Sequence, residues 1–402
     1  MNREGRVGKI ASRDSARWAT RAFVRPSSTG YGMCDFAHAA TPQLAPLPTL
    51  QLTRRGVLKA SAAAAVAVVA GRYDARAAAP EPTPITAALI EAAKKDGKVV
   101  WYAAMDLPVS ERVGRAFEAK YPGIAVRIER TGSERQFQRL AQEYAARIYV
   151  PDVINASDAA HFVAWKRNGW LAPFVPEEVA RHYPSEHRDP EGLFVTSRVY
   201  VVSLGYNTNL VKAEDAPRSF ADLLHPKWMG KIVKAHPAYS GTIMTSTFQI
   251  ARELGWDYFE KLGKQKVLQV QSSVEPPKKL ALGERAVMAD GNEFNLVQFK
   301  EAGQPVEAVY PAEGSPLIVC PNAVLKAAPN PNAARLFQSY LLSREGQQVL
   351  CDFAAQHSAH PQVTEKPGRM PLAKIKTMKD DPVAVEAQSE EIKERYTRYF
   401  GV

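Results

Sequence analysis

Three cysteines in 402 residues are too few for a disulfide scaffold. No apolar run reaches the roughly 20 residues that a bilayer-spanning helix requires. The chain has no G-x-S-x-G, so the strand-turn-helix elbow of an α/β hydrolase is missing. It has no H-E-x-x-H and no Tyr-Tyr dipeptide, and no internal repeat stands out. Charge of one sign is also scarce over most of the chain. The formal charge is +10, but residues 1–80 carry 12 Lys and Arg against four Asp and Glu, while residues 81–402 carry 40 against 38. The basic character therefore lies outside the globular part, which argues against a phosphate-backbone footprint there, and no nucleic-acid partner is expected. At 46% hydrophobic the chain can bury a sizeable core, and its length suits two or more domains.

The first 79 residues read as a leader. Arg54-Arg55 precedes an apolar stretch from Ala60 to Ala70, and Ala77-Ala78-Ala79 supplies an A-x-A site. That combination is a twin-arginine export signal with cleavage expected near Ala79, leaving 323 residues in the periplasm. No cysteine follows the apolar stretch, so a lipid anchor is not expected. Cys320 and Cys351 remain in the exported chain, and both a disulfide and two buried thiols are compatible with their positions.

From Ile85 the pattern is strand, turn, helix, repeated. Lys98–Ala103 is an apolar run suited to a buried parallel strand, followed by a helix with Val109, Val113, Phe117 and Tyr121 on one stripe. Ile124, Val126 and Ile128 alternate as a second strand, and Ser133 with Gln136 forms a capping-box pattern at the next helix. A third unit runs from Asp152 through Ser157-Asp158 into a helix containing Phe162 and Trp165. Three such units predict a parallel sheet covered by helices. Leu193–Tyr206 is a long β-rich run with no helix after it, and Pro316–Leu325 is another; they are expected to cross between lobes. The expected fold is α/β, two-lobed, with two crossing strands and a central cleft. Lobe 1 takes 80–202, lobe 2 takes 203–314, and 315–402 returns to lobe 1 and adds the C-terminal helices.

The stretches KVVWYAA, AFEAKYPGIAV, RTGSERQFQRL, PDVINASDAAHF, AHPAYSGT and LIVCPNAVLKAAPNPNAARLFQSYLLSREGQQ, in this order behind an export leader, carry a resemblance. From about Lys98 to Val402 the chain resembles the periplasmic solute-binding proteins of ABC importers, specifically the family-1 group associated with ferric iron, aminoethylphosphonate and related anionic solutes. The resemblance implies the type II periplasmic-binding-protein fold and a hinged receptor, not an enzyme, that delivers a ligand to a permease in the inner membrane; a monomer is expected. Ferric-binding members typically use adjacent tyrosines, yet where that pair is expected this chain reads Asp290-Gly291-Asn292-Glu293-Phe294. Asp158 and Glu293 alone are a thin oxygen shell for Fe(III), so no metal or other cofactor is expected.

Helix-starting turns at strand ends offer hydroxyls, backbone N–H groups and the positive end of a helix dipole, a natural cradle for an anion. On that ground the expected ligand contacts are Gly132, Ser133, Ser157 and Asp158 from one lobe. From the other come Tyr239, Ser240, Gly241, Thr242, Asn292 and Glu293. The expected function is capture of a small anionic solute (phosphonate, phosphate ester or carboxylate) by lobe closure. A ferric-binding protein is one alternative. A periplasmic serine hydrolase or transferase using Ser157 or Ser240 is another, of a different class.

Overall fold

The structure is a computed structural model, and it describes residues 78–402. The leader, with Arg54-Arg55 and the start of the A-x-A site, lies outside the described residues.

Two five-stranded sheets form the framework. In the first, β1 (Lys98–Ala103) lies between β2 (Ala125–Arg130) and β3 (Val153–Asn155), parallel to both. The strands β10 (Leu317–Val324) and β4 (Val195–Val201) complete the order β2-β1-β3-β10-β4. β10 runs antiparallel to β3 and to β4, so this sheet is mixed rather than wholly parallel. The cause is tertiary: β10 re-enters from the other sheet and takes its direction from that crossing. The second sheet has the order β7-β6-β8-β5-β9, built from β5 (Leu204–Asn207), β6 (Ile232–Ala235), β7 (Leu268–Val270), β8 (Val287–Met288) and β9 (Val306–Val309). Here β6 is parallel to β7 and β8, while β5 is antiparallel to β8 and β9.

The chain changes sheets twice. The β-rich run beginning at Leu193 divides into β4 of the first sheet and β5 of the second, with Val202-Ser203 between them. The return lies between Val309 and Leu317, and β10 then belongs wholly to the first sheet.

Helices cover both sheets: α1 (Ala87–Asp96), α2 (Leu107–Lys120), α3 (Ser133–Ala145), α4 (Ala160–Arg167), α5 (Glu177–His182), α6 (Gly241–Leu254), α7 (Trp256–Gly263), α8 (Glu275–Ala281), α9 (Glu293–Glu301), α10 (Pro331–Leu341), α11 (Arg344–Ala354) and α12 (Pro382–Phe400). The apolar stripe of α2 buries Val109, Val113 and Phe117 against Trp101 of β1 and Phe337 of α10. Phe117 and Phe337 meet edge to face at 5.1 Å, which adds to their area burial. The second lobe has its own core around Phe220, Ile232, Phe259 and Leu262. Inside it Lys234 and Asp290 form a fully buried ion pair at 2.5 Å, and Asp290 also accepts from Ala235 N at 3.1 Å. Cys320 and Cys351 are both buried and unbridged. The terminal helix α12 is capped by Asp381, which accepts from Ala384 N at 3.0 Å, with Pro382 in its first turn. It packs on α4 of the first lobe and on α6 and α7 of the second, so it spans the seam.

Candidate functional site

Where the two lobes face each other there is a cavity of about 200 Å³. From the first lobe it is lined by Ala104 and Asp106 after β1, by Arg130, Gly132, Ser133 and Arg135 around the start of α3, and by Ser157. The second lobe contributes Tyr239, Ser240, the segment Gln271–Glu275, Asn292 and Phe294. Arg198 and Tyr200 of β4 complete it. They stand two residues apart on one strand, so both point to the same face.

The strand-to-helix turns that open α2, α3, α4, α6, α8 and α9 therefore meet here. The first N–H groups of each helix have no partner inside it and carry the positive end of its dipole. Ser240 caps α6, accepting from Ile243 N at 3.5 Å. Ser133 differs from the capping-box expectation: Gly132 occupies the cap position and Ser133 is the first helical residue. Its hydroxyl instead accepts from Ser157 N at 2.8 Å and lies 2.6 Å from the Ser157 hydroxyl. If Ser133 donates to Ser157, the Ser157 proton is free to turn into the cavity. Such a pair is a donor ready for an oxyanion. Asn292 is buried, bonds Asn295 Oδ1 through its amide nitrogen at 3.1 Å, and leaves its own Oδ1 without a partner. Gly132 lies against the second lobe, where a Cβ would stand 3.4 Å from the Tyr239 carbonyl oxygen, at ordinary van der Waals contact.

Arg198 is the principal residue that sequence reasoning missed. It is 3% exposed and, among the described residues, has no carboxylate partner. Its guanidinium reaches Asn155 Oδ1 only at 3.4 Å and lies 5.6 Å from the Tyr200 ring, while Nε bonds to nothing. A buried cation without a counterion is costly unless something negative joins it. The sequence carried a signal: an arginine in the middle of the strand VTSRVYV, whose seven positions are all buried. Arg130 and Arg135 stand at the mouth. Arg130 lies 4.0 Å from Asp106, and Arg135 donates across the cleft to Gln271 at 3.1 Å.

Of the ten expected contacts, Gly132, Ser133, Ser157, Tyr239, Ser240 and Asn292 line this cavity. The other four do not. Glu293 is fully buried and already engaged: Arg369 donates to one oxygen at 2.5 Å and Tyr310 to the other at 2.7 Å. A guanidinium 76 residues away took the carboxylate, which no local pattern around Glu293 reveals. Thr242 pairs with Tyr200 at 2.8 Å and with the Ser157 carbonyl at 3.4 Å, behind the cavity wall. Asp158 faces away, accepting from His161 N at 3.0 Å and meeting His161 Nδ1 at 2.7 Å, and Gly241 packs directly on its carboxylate.

That placement also bears on the hydrolase alternative. Both ring nitrogens of His161 meet carboxylates, Asp158 at 2.7 Å and Glu134 at 3.3 Å, rather than a serine. Burial alone would lower its pKa, but the two carboxylates override that and raise it to about 10. An imidazole held protonated at neutral pH is no general base. For Fe(III) the donors are equally poor. Burial pushes the Tyr200 phenol well above its usual range, three guanidiniums line the cavity, and among the described residues no group of three or more His, Cys, Asp or Glu side chains is arranged to hold a metal ion.

The family of bacterial extracellular solute-binding proteins matches residues 149–375. An uncharacterised protein of Haemophilus influenzae is 25% identical over 272 residues, which is 64% of this chain and 76% of that one. Among solved structures, the periplasmic binding protein AfuA of Actinobacillus pleuropneumoniae with fructose-6-phosphate bound superposes with a TM-score of 0.71. It shares 24% identity and covers 76% of this chain and 99% of its own. Iron-bound HitA of Pseudomonas aeruginosa gives a TM-score of 0.66 at 22% identity, covering 75% of this chain and 99% of its own. At these identities the likeness establishes the two-lobed fold.

Proposed function

We propose, since the chain belongs to the bacterial extracellular solute-binding protein family, that it is the receptor of an ABC importer for a small solute bearing an oxyanion group. The leader reading places it in the periplasm, where its ligand-bound form would meet an inner-membrane permease. The observation that carries the anion is Arg198, a buried guanidinium with no counterion among the described residues, at the wall of the interlobe cavity. A phosphate, phosphonate or carboxylate there would pair with the guanidinium in a charge-assisted bond. The Ser157 hydroxyl, the first-turn N–H groups of α3 and α6, and Ser240 would supply further donors at modest distance from water. Arg135 and Gln271, bonded to each other across the mouth, would then close over the guest. Binding in such a protein stabilises the closed arrangement by the differential affinity of the ligand for it, and the strand breaks at Val202-Ser203 and 310–316 are where the hinge would bend.

The test begins with mass spectrometry of small molecules released on denaturing the purified protein. It continues with thermal unfolding against inorganic phosphate, methylphosphonate, hexose 6-phosphates, citrate and neutral hexoses. A stabilisation by one class of anion and not by the neutral sugars is expected. Stabilisation by a neutral sugar alone, or a visible charge-transfer band on adding Fe(III) with carbonate, would overturn the anion reading.

A further inference from the structure

A second cavity, of about 190 Å³, lies beside the first at the lobe seam, among α3, α4, α6 and α12. The two cavities share a wall in an ordered way. Ser133 lines the first and its neighbour Glu134 the second; Ser157 lines the first and its neighbour Asp158 the second. Each hydroxyl presented to the proposed ligand is thus followed by a carboxylate presented to the seam.

Across that seam both carboxylates meet the second lobe. Asp158 lies against the opening of α6, where Gly241 provides the room. A Cβ at Gly241 would fall inside the Asp158 carboxylate, with the carboxyl carbon at 2.6 Å. Glu134 lies 3.6 Å from Lys393 of α12. The protonated His161 sits between Asp158 and Glu134 and holds both in place.

Helix α12 is rooted in the second lobe by its C-terminal half. Tyr396 is fully buried and donates to Gln269 at 2.8 Å; its ring stacks on Phe400 at 4.2 Å and lies 4.8 Å from the Lys234 ammonium. Its N-terminal half reaches the first lobe. Arg167 of α4 holds Glu386 through two bonds, at 3.0 and 2.6 Å, and Val385 joins Ala160, Met244, Phe248 and Ile392 in one apolar cluster drawn from both lobes.

We infer that Asp158 against the opening of α6, Glu134 against Lys393, and the N-terminal half of α12 against α4 form an interlobe lock, assembled when the lobes close and placed back to back with the ligand cavity. This rests on the reading that the lobes open and close around a solute. The ligand orders Ser133 and Ser157, the adjacent carboxylates are positioned by the same two turns, and the seam contacts they make stabilise the closed form. Asp158 is therefore a positioning residue rather than a ligand contact.

The test measures interlobe distance by pulsed electron spin resonance. Labels go at Arg112→Cys and Lys261→Cys, exposed helix positions in the first and second lobe, in a chain carrying Cys34→Ser. Cys320 and Cys351 are buried and stay unlabelled. Distances are read without solute and with millimolar inorganic phosphate or glucose 6-phosphate. Gly241→Ala should deplete the short-distance population more than tenfold relative to the parent. Arg167→Glu should deplete it a few-fold, in keeping with a partly exposed pair, and Arg167→Glu with Glu386→Arg should restore it. If Gly241→Ala fails to fold, the charge exchange decides. Distance distributions unchanged in all folded variants overturn the lock, whether or not either solute binds. Variants that shift the distribution while neither phosphate compound does so keep the lock and count against the phosphate form of the ligand reading.

Discussion

Replacing Arg198 by methionine separates the two contributions of that side chain. In the free protein the guanidinium is 3% exposed and lacks a carboxylate among the described residues, so its removal takes away an uncompensated buried charge. Replacing a buried ion pair by apolar residues of similar volume is often neutral or stabilising by about 1–4 kcal/mol, and here no partner charge is left behind. The ligand-free variant should therefore unfold at the same or a higher temperature, by roughly 2–4 °C per kcal/mol for a chain of this order of size. In the complex the same change deletes one partner of a desolvated charge pair, which costs about 2–5 kcal/mol. That range is roughly thirtyfold to several thousandfold in Kd. Thermal unfolding of parent and variant, each alone and with the anion that stabilises the parent, reads both effects, and titration calorimetry gives the affinity ratio. The expected pattern is an unchanged or raised melting temperature alone, and little or no shift with ligand. A variant that keeps the full ligand-induced shift would refute the assignment of Arg198 as the anion's partner. One that melts well below the parent without ligand would show that the guanidinium has an internal role.

Other consequences are separable. Asp290→Asn strands the Lys234 ammonium in the second-lobe core and should cost about 3–5 kcal/mol in urea unfolding; a loss under 1 kcal/mol would mean water reaches the pair. Glu293→Gln should lower stability by leaving Arg369 without its counter-charge, yet change ligand affinity less than threefold, since Glu293 lies outside the cavity; a large affinity loss at unchanged stability would return it to the site. His161 is faced by Asp158 on its own turn, Glu134 on α3 and, beyond Glu134, Lys393 on α12. Burial works against its charge, the carboxylates prevail, and its pKa is raised to about 10. Because the folded value lies above the ordinary 6.5, its stabilisation is complete below pH 6.5 and is lost as pH rises toward 10, by up to roughly 3–5 kcal/mol. The urea midpoint should fall across that window and His161→Asn should flatten the slope; a parent midpoint level from pH 6.5 to 10 would contradict the ion triad.

How much was legible in advance follows the range of the forces. The run Lys98–Ala103 forms β1 with those ends, and α6 stops at Leu254 against Gly255, because burial alternation and end signals act within a dozen residues. The turns at Ser133, Ser157 and Ser240 reach the cavity for the same reason: small hydroxyl residues between a strand and a helix sit at strand ends, and strand ends in two facing sheets border the cleft. The three units read from local patterning do pair in parallel, but the antiparallel direction of β10 was not legible, since it depends on a segment that had left for the other lobe.

Residue types in order along the chain determined that this is a two-lobed α/β receptor with hydroxyl-bearing turns at its cleft. Only the folded arrangement decided the charges. Glu293 was drawn to Arg369, Asp158 turned to His161 and the opening of α6, and Arg198 was left buried with no carboxylate partner among the described residues. An ion pair is settled by which opposite charge lies within a few ångströms after burial, and in this protein such partners come from distant parts of the chain.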